Sequence, residues 1–147
     1  MSTTVIYGRN PVHEAIRAGR RRVHTVWATE GAAKEPWLKG AAVDIVSSDQ
    51  LADRAGSGSH QGICAEVDPY PYSGASELLA VDRPVIVALD EVQDPQNLGA
   101  IARSAECAGA TGLVIPRHRS AEVTAAAAKA SACGSGLQRR CRARHGI

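Results

Sequence analysis

Apolar positions along the chain fall into short blocks separated by polar turns, and the blocks alternate between two periods. In "TVIYGRNPVHEAIRAG" a short lead-in precedes a helical pattern. Asn10 suits the N-cap, Pro11 the first helical position, and Val12, Ala15 and Ile16 the apolar face, with Gly19 as a stop. Val23, Thr25, Val26 and Trp27 then favour a strand, "AAKEPWLKG" a turn or short helix broken at Pro36, and "AVDIVS" a second strand. "SDQLADRAG" reads as a helix capped by Ser48, and "GICAEVDP" as a third strand after the turn "GSGSHQ". Residues 1–68 are therefore expected to form a small alternating α/β domain. The Pro-, Gly- and Ser-containing stretch 69–83 reads as a linker with one helical turn in it.

A second unit starts at Pro84. "VIVALD" is a continuous β-branched run of the kind buried on both faces of a parallel sheet. Asp94 can cap the following helix with Pro95 at its first position, and Leu98, Ile101, Ala102, Ala105 and Ala108 repeat at the helical period. Gly109 and Gly112 flank the exit into the strand "LVI", and "SAEVTAAAAKASA" predicts an alanine-rich helix with Ser120 as its cap. Residues 84–132 thus predict strand, helix, strand and helix. Residues 133–147 show neither period and read as an atypical basic tail, which leaves the second domain with a two-stranded, incomplete sheet that exposes apolar surface.

Composition narrows the class. The chain has 147 residues, 44% of them hydrophobic and 22% charged, which suits a globular protein of one or two small domains. No apolar run approaches the roughly 20 residues of a membrane span, and the N-terminus lacks the pattern of a signal peptide, so a cytoplasmic location is expected. Cys64, Cys107, Cys133 and Cys141 lie too far apart for a zinc motif, so free thiols and no metal are expected. The formal charge of +2 conceals an uneven distribution. Residues 133–147 carry four arginines and no acid, leaving residues 1–132 net acidic. Any nucleic-acid surface must therefore be a local patch. Arg20, Arg21 and Arg22, with Arg9 nearby, form one such cluster, and Arg117 and Arg119 another; either set reads equally as solvated charge.

The chemistry concentrates in "DEVQDPQNLGAIARSAECAGATGLVIP". Neither G-x-G-x-x-G nor G-x-x-x-x-G-K-[ST] is present, which disfavours a dinucleotide or nucleoside triphosphate site. Asn97 lies in the first helical turn, at the carboxyl end of a parallel strand, where open α/β sheets bind ligands. Arg103 follows six residues later, about 240° around the helix, so the two are not on one stripe. From the residues alone, two readings stand: a polar ligand site, or a turn-supporting Asn and a solvated Arg.

The run N-L-G-A-I-x-R-x-A-x-x-x-G, carried by Asn97, Leu98, Gly99, Ala100, Ile101, Arg103, Ala105 and Gly109, closely resembles motif 1 of the SpoU (TrmH-like) family of RNA ribose 2'-O-methyltransferases, in the SPOUT superfamily. "IYGRNPVHEAIRAG" and "SHQGICAEV" resemble the family's N-terminal RNA substrate-binding domain, in the branch that modifies guanosine of 23S ribosomal RNA. The resemblance covers residues 4 to about 132. It implies an L30e-like first domain, a Rossmann-like SPOUT second domain, S-adenosylmethionine as methyl donor, RNA as partner and a homodimer. It also implies Arg103 as the catalytic residue, with Asn97 supporting the site. In the family, two cofactor-binding motifs and a trefoil knot follow the stretch matched by "KASA". No counterpart is expected here, so the cofactor-binding residues and the knot are expected to be absent and the chain inactive by itself. The change of character after Ala132 is what an out-of-frame reading of a GC-rich gene would give, which nucleotide sequence beyond codon 132 tests. The alternatives are a non-catalytic RNA-binding module on residues 1–68, or an inert fragment.

Overall fold

The computed structural model describes residues 3–116, 118–130 and 141–145. The chain divides into two compact α/β units, Met1–Pro69 and Tyr70–Ile147.

The first unit comprises β1 (Thr4–Tyr7), α1 (Arg9–Ala18), β2 (Val23–Ala28), two 3-10 turns (Ala32–Lys34 and Pro36–Leu38), β3 (Val43–Ile45), α2 (Ser48–Ala55) and β4 (Ile63–Val67). Its sheet has the order β1-β4-β2-β3, antiparallel except for the parallel pair β2–β3. The short lead-in is therefore a strand, giving four strands where three were expected. Thr4 through Tyr7 are β-branched or aromatic, and they pair in register with Val67 through Cys64. Ile63, Cys64 and Ala65 are consecutive and fully buried, because β4 is covered on both faces, and α1 and α2 both pack against it. Burial pushes the Cys64 thiol up to about 11, against a smaller opposing pull from the Arg54 guanidinium.

Two helix caps of the first unit differ from expectation. The N-cap of α1 lies two residues before Asn10, at Gly8 with φ 97°, and the helix starts at Arg9. Gln61 is the reason: its side-chain carbonyl accepts from the Arg9 backbone N–H at 3.0 Å, supplying the cap that Gly8 cannot. α2 is capped by Ser47 rather than Ser48, in a reciprocal box in which the Gln50 N–H donates to Ser47 Oγ and the Ser47 N–H donates to Gln50 Oε1.

The turn that delivers Gln61 depends on Gly62, at φ 79°. A Cβ there would lie 2.9 Å from Thr29 Oγ1 and 3.3 Å from the Ala32 Cβ, while the Gly62 carbonyl accepts from Thr29 N. Gly62→Ala combines left-handed strain with this close approach, so a loss of about 2–3 kcal/mol is expected in chemical denaturation. An unchanged midpoint would show that the turn relaxes freely.

The second unit contains α3 (Ala75–Leu79), β5 (Ile86–Ala88), α4 (Pro95–Cys107), β6 (Gly112–Pro116), α5 (Ala125–Ala130) and β7 (Cys141–His145). β5, β6 and β7 form a parallel sheet with β6 in the middle. Strand β7 corrects the reading of 133–147 as devoid of strand and of the sheet as two-stranded. β7 pairs with β6 on the side away from β5 through backbone groups, which an extended segment can do whatever its side chains. Residues 69–83, expected to link the domains, behave differently from a bare connector. Tyr70 and Tyr72 pack against the second unit's core, Tyr72 Oη accepts from Val123 N at 3.0 Å, and Leu78 is buried.

That core joins Leu98 and Ala102 of α4 to Leu113 and Ile115 of β6 and Ala127 of α5. Asp94 caps α4 as expected, its carboxylate accepting from Gln96 N, with Pro95 at the first helical position. Ala108 is exposed, because the helix has already closed at Cys107. Ser120 does not cap α5; its hydroxyl donates to Val92 O, and Thr124 Oγ1 instead accepts from Ala127 N. No described helix is long and apolar enough to cross a membrane.

Candidate functional site

Helix α4 sorts its residues by angle. Leu98, Gly99 and Ala102 are buried, with Ile101 and Ala105 partly so. Taking about 100° per residue from Asn97, the buried positions centre near 140°, while Ala100, Arg103, Ser104 and Asn97 span the exposed arc from about 240° round to 360°. Asn97 and Arg103 are therefore not stacked on one stripe, as the spacing predicts. They instead bound the two edges of one solvent-facing arc, about 9 Å apart along the axis. Gln96 and Ser104 are also on that arc; Ser104 returns its hydroxyl to the Ala100 carbonyl at 3.1 Å, so the polar side chains the arc presents are Gln96, Asn97 and Arg103.

Beside the N-terminus of α4, the loops that follow β5 and β6 are clasped together. Arg119 and Glu91 form an ion pair at 3.0 Å, Ala121 N donates to Val92 O at 2.7 Å, and Ser120 Oγ donates to the same carbonyl. Both members of the ion pair sit in the left-handed region, at φ 50° for Glu91 and 55° for Arg119. That conformation is unfavourable for residues other than glycine, so the clasp holds both loops in a shape they would otherwise avoid. Glu91 was not singled out by the sequence, because nothing local in "LDEVQDP" signals a left-handed residue.

Glu91, Arg119, Ser120 and the Val92 carbonyl are thus engaged across the two loops.

The arginines of the first unit separate by environment. Arg9 is exposed and pairs with Glu35 at 2.8 Å. Arg22 is exposed and Arg20 half-buried. Arg21 is only 7% exposed, so it does not stand on a surface patch with its neighbours. It lines a cavity of about 300 Å³ between α1, β2 and residues 41–42. His24 lies on the same cavity, and its Nε2 is 2.7 Å from Asp68 Oδ1. That hydrogen bond is the main reason the Asp68 carboxyl is held below its ordinary range. His60, within "SHQG", is buried, and its Nδ1 accepts from Gly62 N at 3.1 Å, which makes it part of the turn. Arg117 and Cys133 lie outside the described residues, and among the described residues no group of three metal-ligating side chains occurs.

The second unit is thus of the open, parallel α/β class, with polar side chains gathered beside the carboxyl ends of its strands, the edge where such sheets bind ligands. Comparison with known proteins narrows that class. Residues 5–73 match the domain described as RNA 2'-O ribose methyltransferase substrate binding, and residues 84–144 match the SpoU rRNA methylase family. The chain belongs to the SpoU family, and the match runs past residue 132, where the resemblance read from the motifs stops.

A protein of Mycolicibacterium vanbaalenii named as an uncharacterized tRNA/rRNA methyltransferase is 40% identical over 144 residues, covering 88% of this chain and 46% of that protein. One of the same description from Mycobacterium tuberculosis is 40% identical over 143 residues, covering 88% and 44%. The chain therefore spans about half the length of these relatives. Among solved structures, the AdoMet-bound rRNA methyltransferase of Sinorhizobium meliloti superposes with a TM-score of 0.74 at 24% identity, covering 99% of this chain and 55% of that one. The SpoU methyltransferase AviRb of Streptomyces viridochromogenes, in complex with AdoMet, gives 0.74 at 20% identity, with the same coverages. The fold is that of the SpoU methyltransferases.

Proposed function

We propose that these residues carry the RNA-binding unit and the motif-bearing part of the transfer site of an RNA ribose 2'-O-methyltransferase. Ribosomal RNA is the substrate that the names of the similar proteins favour, and S-adenosylmethionine supplies the methyl group in the complete fold. The observation that carries the reading is the exposed arc of α4, which presents Asn97 and Arg103 together with Gln96. Arg103 grips the phosphate next to the target ribose and orients the 2'-hydroxyl, and Asn97 supports that pose. Arg9, Arg20, Arg22, Arg117 and Arg119 contribute phosphate contacts, which give affinity without reading sequence. The complete protein works in the cytoplasm as a homodimer.

The 147 residues by themselves are expected to bind RNA without holding the donor. Fluorescence anisotropy with a fragmented ribosomal RNA tests the first half of this statement. Affinity is expected to fall linearly in log–log form with salt, by about 0.7 per phosphate contact, and Arg22→Ala is expected to make that slope shallower by about one contact. Salt-independent binding would end the phosphate reading. Calorimetry with S-adenosylmethionine tests the second half: no saturable heat is expected, and tight binding would overturn it.

A second reading, a non-catalytic RNA-binding module, is favoured by one observation. The first unit has its own four-stranded sheet and buried core. RNA affinity that survives removal of residues 70–147, with no methyl transfer from any longer form, would support it.

A further inference from the structure

Charge in the first unit is segregated. Residues 1–69 hold eight basic and eight acidic residues, but residues 9–22 and 30–40 hold seven of the basic and three of the acidic ones. Those two stretches are therefore net +4, and the rest of the unit is net −4. The positive stretches meet along α1. Arg9, His13 and Arg17 recur every four residues and fall within about 80° of one another, on a flank apart from the buried Pro11, Val12 and Ala15. Segment 30–40 reaches this stripe at two points. Glu35 pairs with Arg9 at 2.8 Å, and the Trp37 ring lies against the His13 ring at a centroid distance of 4.8 Å and a tilt of 32°. Both residues are half-buried, so the ring pair keeps part of its π surface in solvent, and Lys34 and Lys39, on either side of Trp37 in sequence, are exposed. Covering α1 does not by itself call for a tryptophan here. Leu38, the next residue, is buried and already anchors the turn, its N–H donating to Glu35 O at 3.0 Å.

We propose that the His13–Trp37 pair is a stacking platform for one unpaired base of the bound RNA, with Arg9 and Arg17 holding the phosphates on either side of it. Every base has a π-face, so an aromatic platform set in a positive stripe fits a single strand of any sequence. Unpaired bases of RNA are commonly held on aromatic side chains in this way. Arg9 and Arg17 already pair with Glu35 and Glu14, but their side chains remain 53% and 46% exposed. Ion pairs this open contribute little, and a guanidinium has donors enough to serve a carboxylate and a phosphate together. Trp27, the chain's other tryptophan, is placed differently. The Arg54 guanidinium lies over its ring at 4.9 Å, and its register partner on β3 is Asp44, in the acidic remainder of the unit. The proposal rests on the reading of this unit as RNA-binding and adds where a base is held.

Its test uses the whole chain, a short uridine oligomer, and an oligomer of the same length with abasic spacers in place of the nucleosides. The uridine oligomer is expected to bind about tenfold tighter than the abasic one and to quench tryptophan fluorescence, which the abasic one leaves unchanged. Trp37→Leu keeps the turn apolar and removes the platform. It is expected to erase both the preference and the quenching while leaving the salt slope as it was. Trp37→Phe, which keeps a ring, is expected to retain most of the preference. Arg17→Ala is expected to make the salt slope shallower by about one contact for both oligomers, with the preference still in place. Equal affinities for the two oligomers in the unaltered chain, no quenching, or a preference that survives Trp37→Leu would each overturn the proposal, while binding of fragmented ribosomal RNA would keep the RNA-binding reading intact. A preference lost in Trp37→Phe, or a salt slope unchanged in Arg17→Ala, would equally overturn it. Where Trp37→Leu does not fold, the quenching in the unaltered chain and the preference of Trp37→Phe decide. Absence of binding to both oligomers and to fragmented ribosomal RNA would remove both readings together.

Discussion

Arg103→Ala is expected to lower methyl transfer about 100- to 1000-fold while RNA affinity changes by no more than about threefold. The assay needs a complete fold. Residues 4–132 can replace the matching part of the Mycolicibacterium vanbaalenii relative, and incorporation of labelled methyl into ribosomal RNA can then be followed. The magnitude comes from the role. Arginine stays protonated throughout the working range, so Arg103 is poorly suited to removing a proton from the 2'-hydroxyl. A guanidinium fork can instead hold the neighbouring phosphate through two parallel hydrogen bonds and fix the ribose hydroxyl along the line of attack. That contribution is felt in turnover far more than in affinity, because the rest of the RNA surface still binds. Arg103→Lys separates charge from geometry: it retains the charge and loses the fork, so an intermediate loss is expected. Transfer within about threefold of the parent in Arg103→Ala would remove the assignment.

What the sequence made legible follows a physical divide. Local signals were sufficient wherever a residue's conformation depends on its immediate neighbours. Asp94 and Pro95 announce the start of α4, and Gly19 occupies the left-handed stop of α1. Apart from the one-residue shift of the α2 cap to Ser47, which Gln50 sets locally, the elements that were missed or misplaced depend on distant partners. β1 is a strand because β4, some sixty residues away, offers it an edge, and the start of α1 is set by Gln61 rather than by Asn10. β7 exists through backbone pairing with β6, which side-chain periodicity does not encode. The site shows the same divide. Asn97 and Arg103 stand out in the sequence because they fall in a motif with fixed spacing. The burial of Arg21, the bulge at His24 and the Glu91–Arg119 clasp were not, since each joins segments far apart in sequence or turns on tertiary packing.

The motif itself divides into a presenting half and a presented half, and Leu98→Ala is the substitution that separates them. Leu98 is fully buried and packs with Ala102, Leu113, Ile115 and Ala127, which ties α4 to both β6 and α5. Truncation to alanine removes the apolar contacts and leaves a cavity that the rigid strand β6 cannot close, so a loss of about 2–5 kcal/mol is expected in chemical denaturation of the second unit. That is a large share of the roughly 5–15 kcal/mol by which a whole domain is stable. Asn97, one residue away but exposed, should behave oppositely. Asn97→Ala is expected to leave the unfolding midpoint within about 0.5 kcal/mol of the parent while lowering transfer in the chimaera. Two adjacent positions of one motif would then fail by different routes, one by releasing the helix and the other by disarming the exposed arc. A Leu98→Ala variant with unchanged stability would mean that α4 is held by something other than this core.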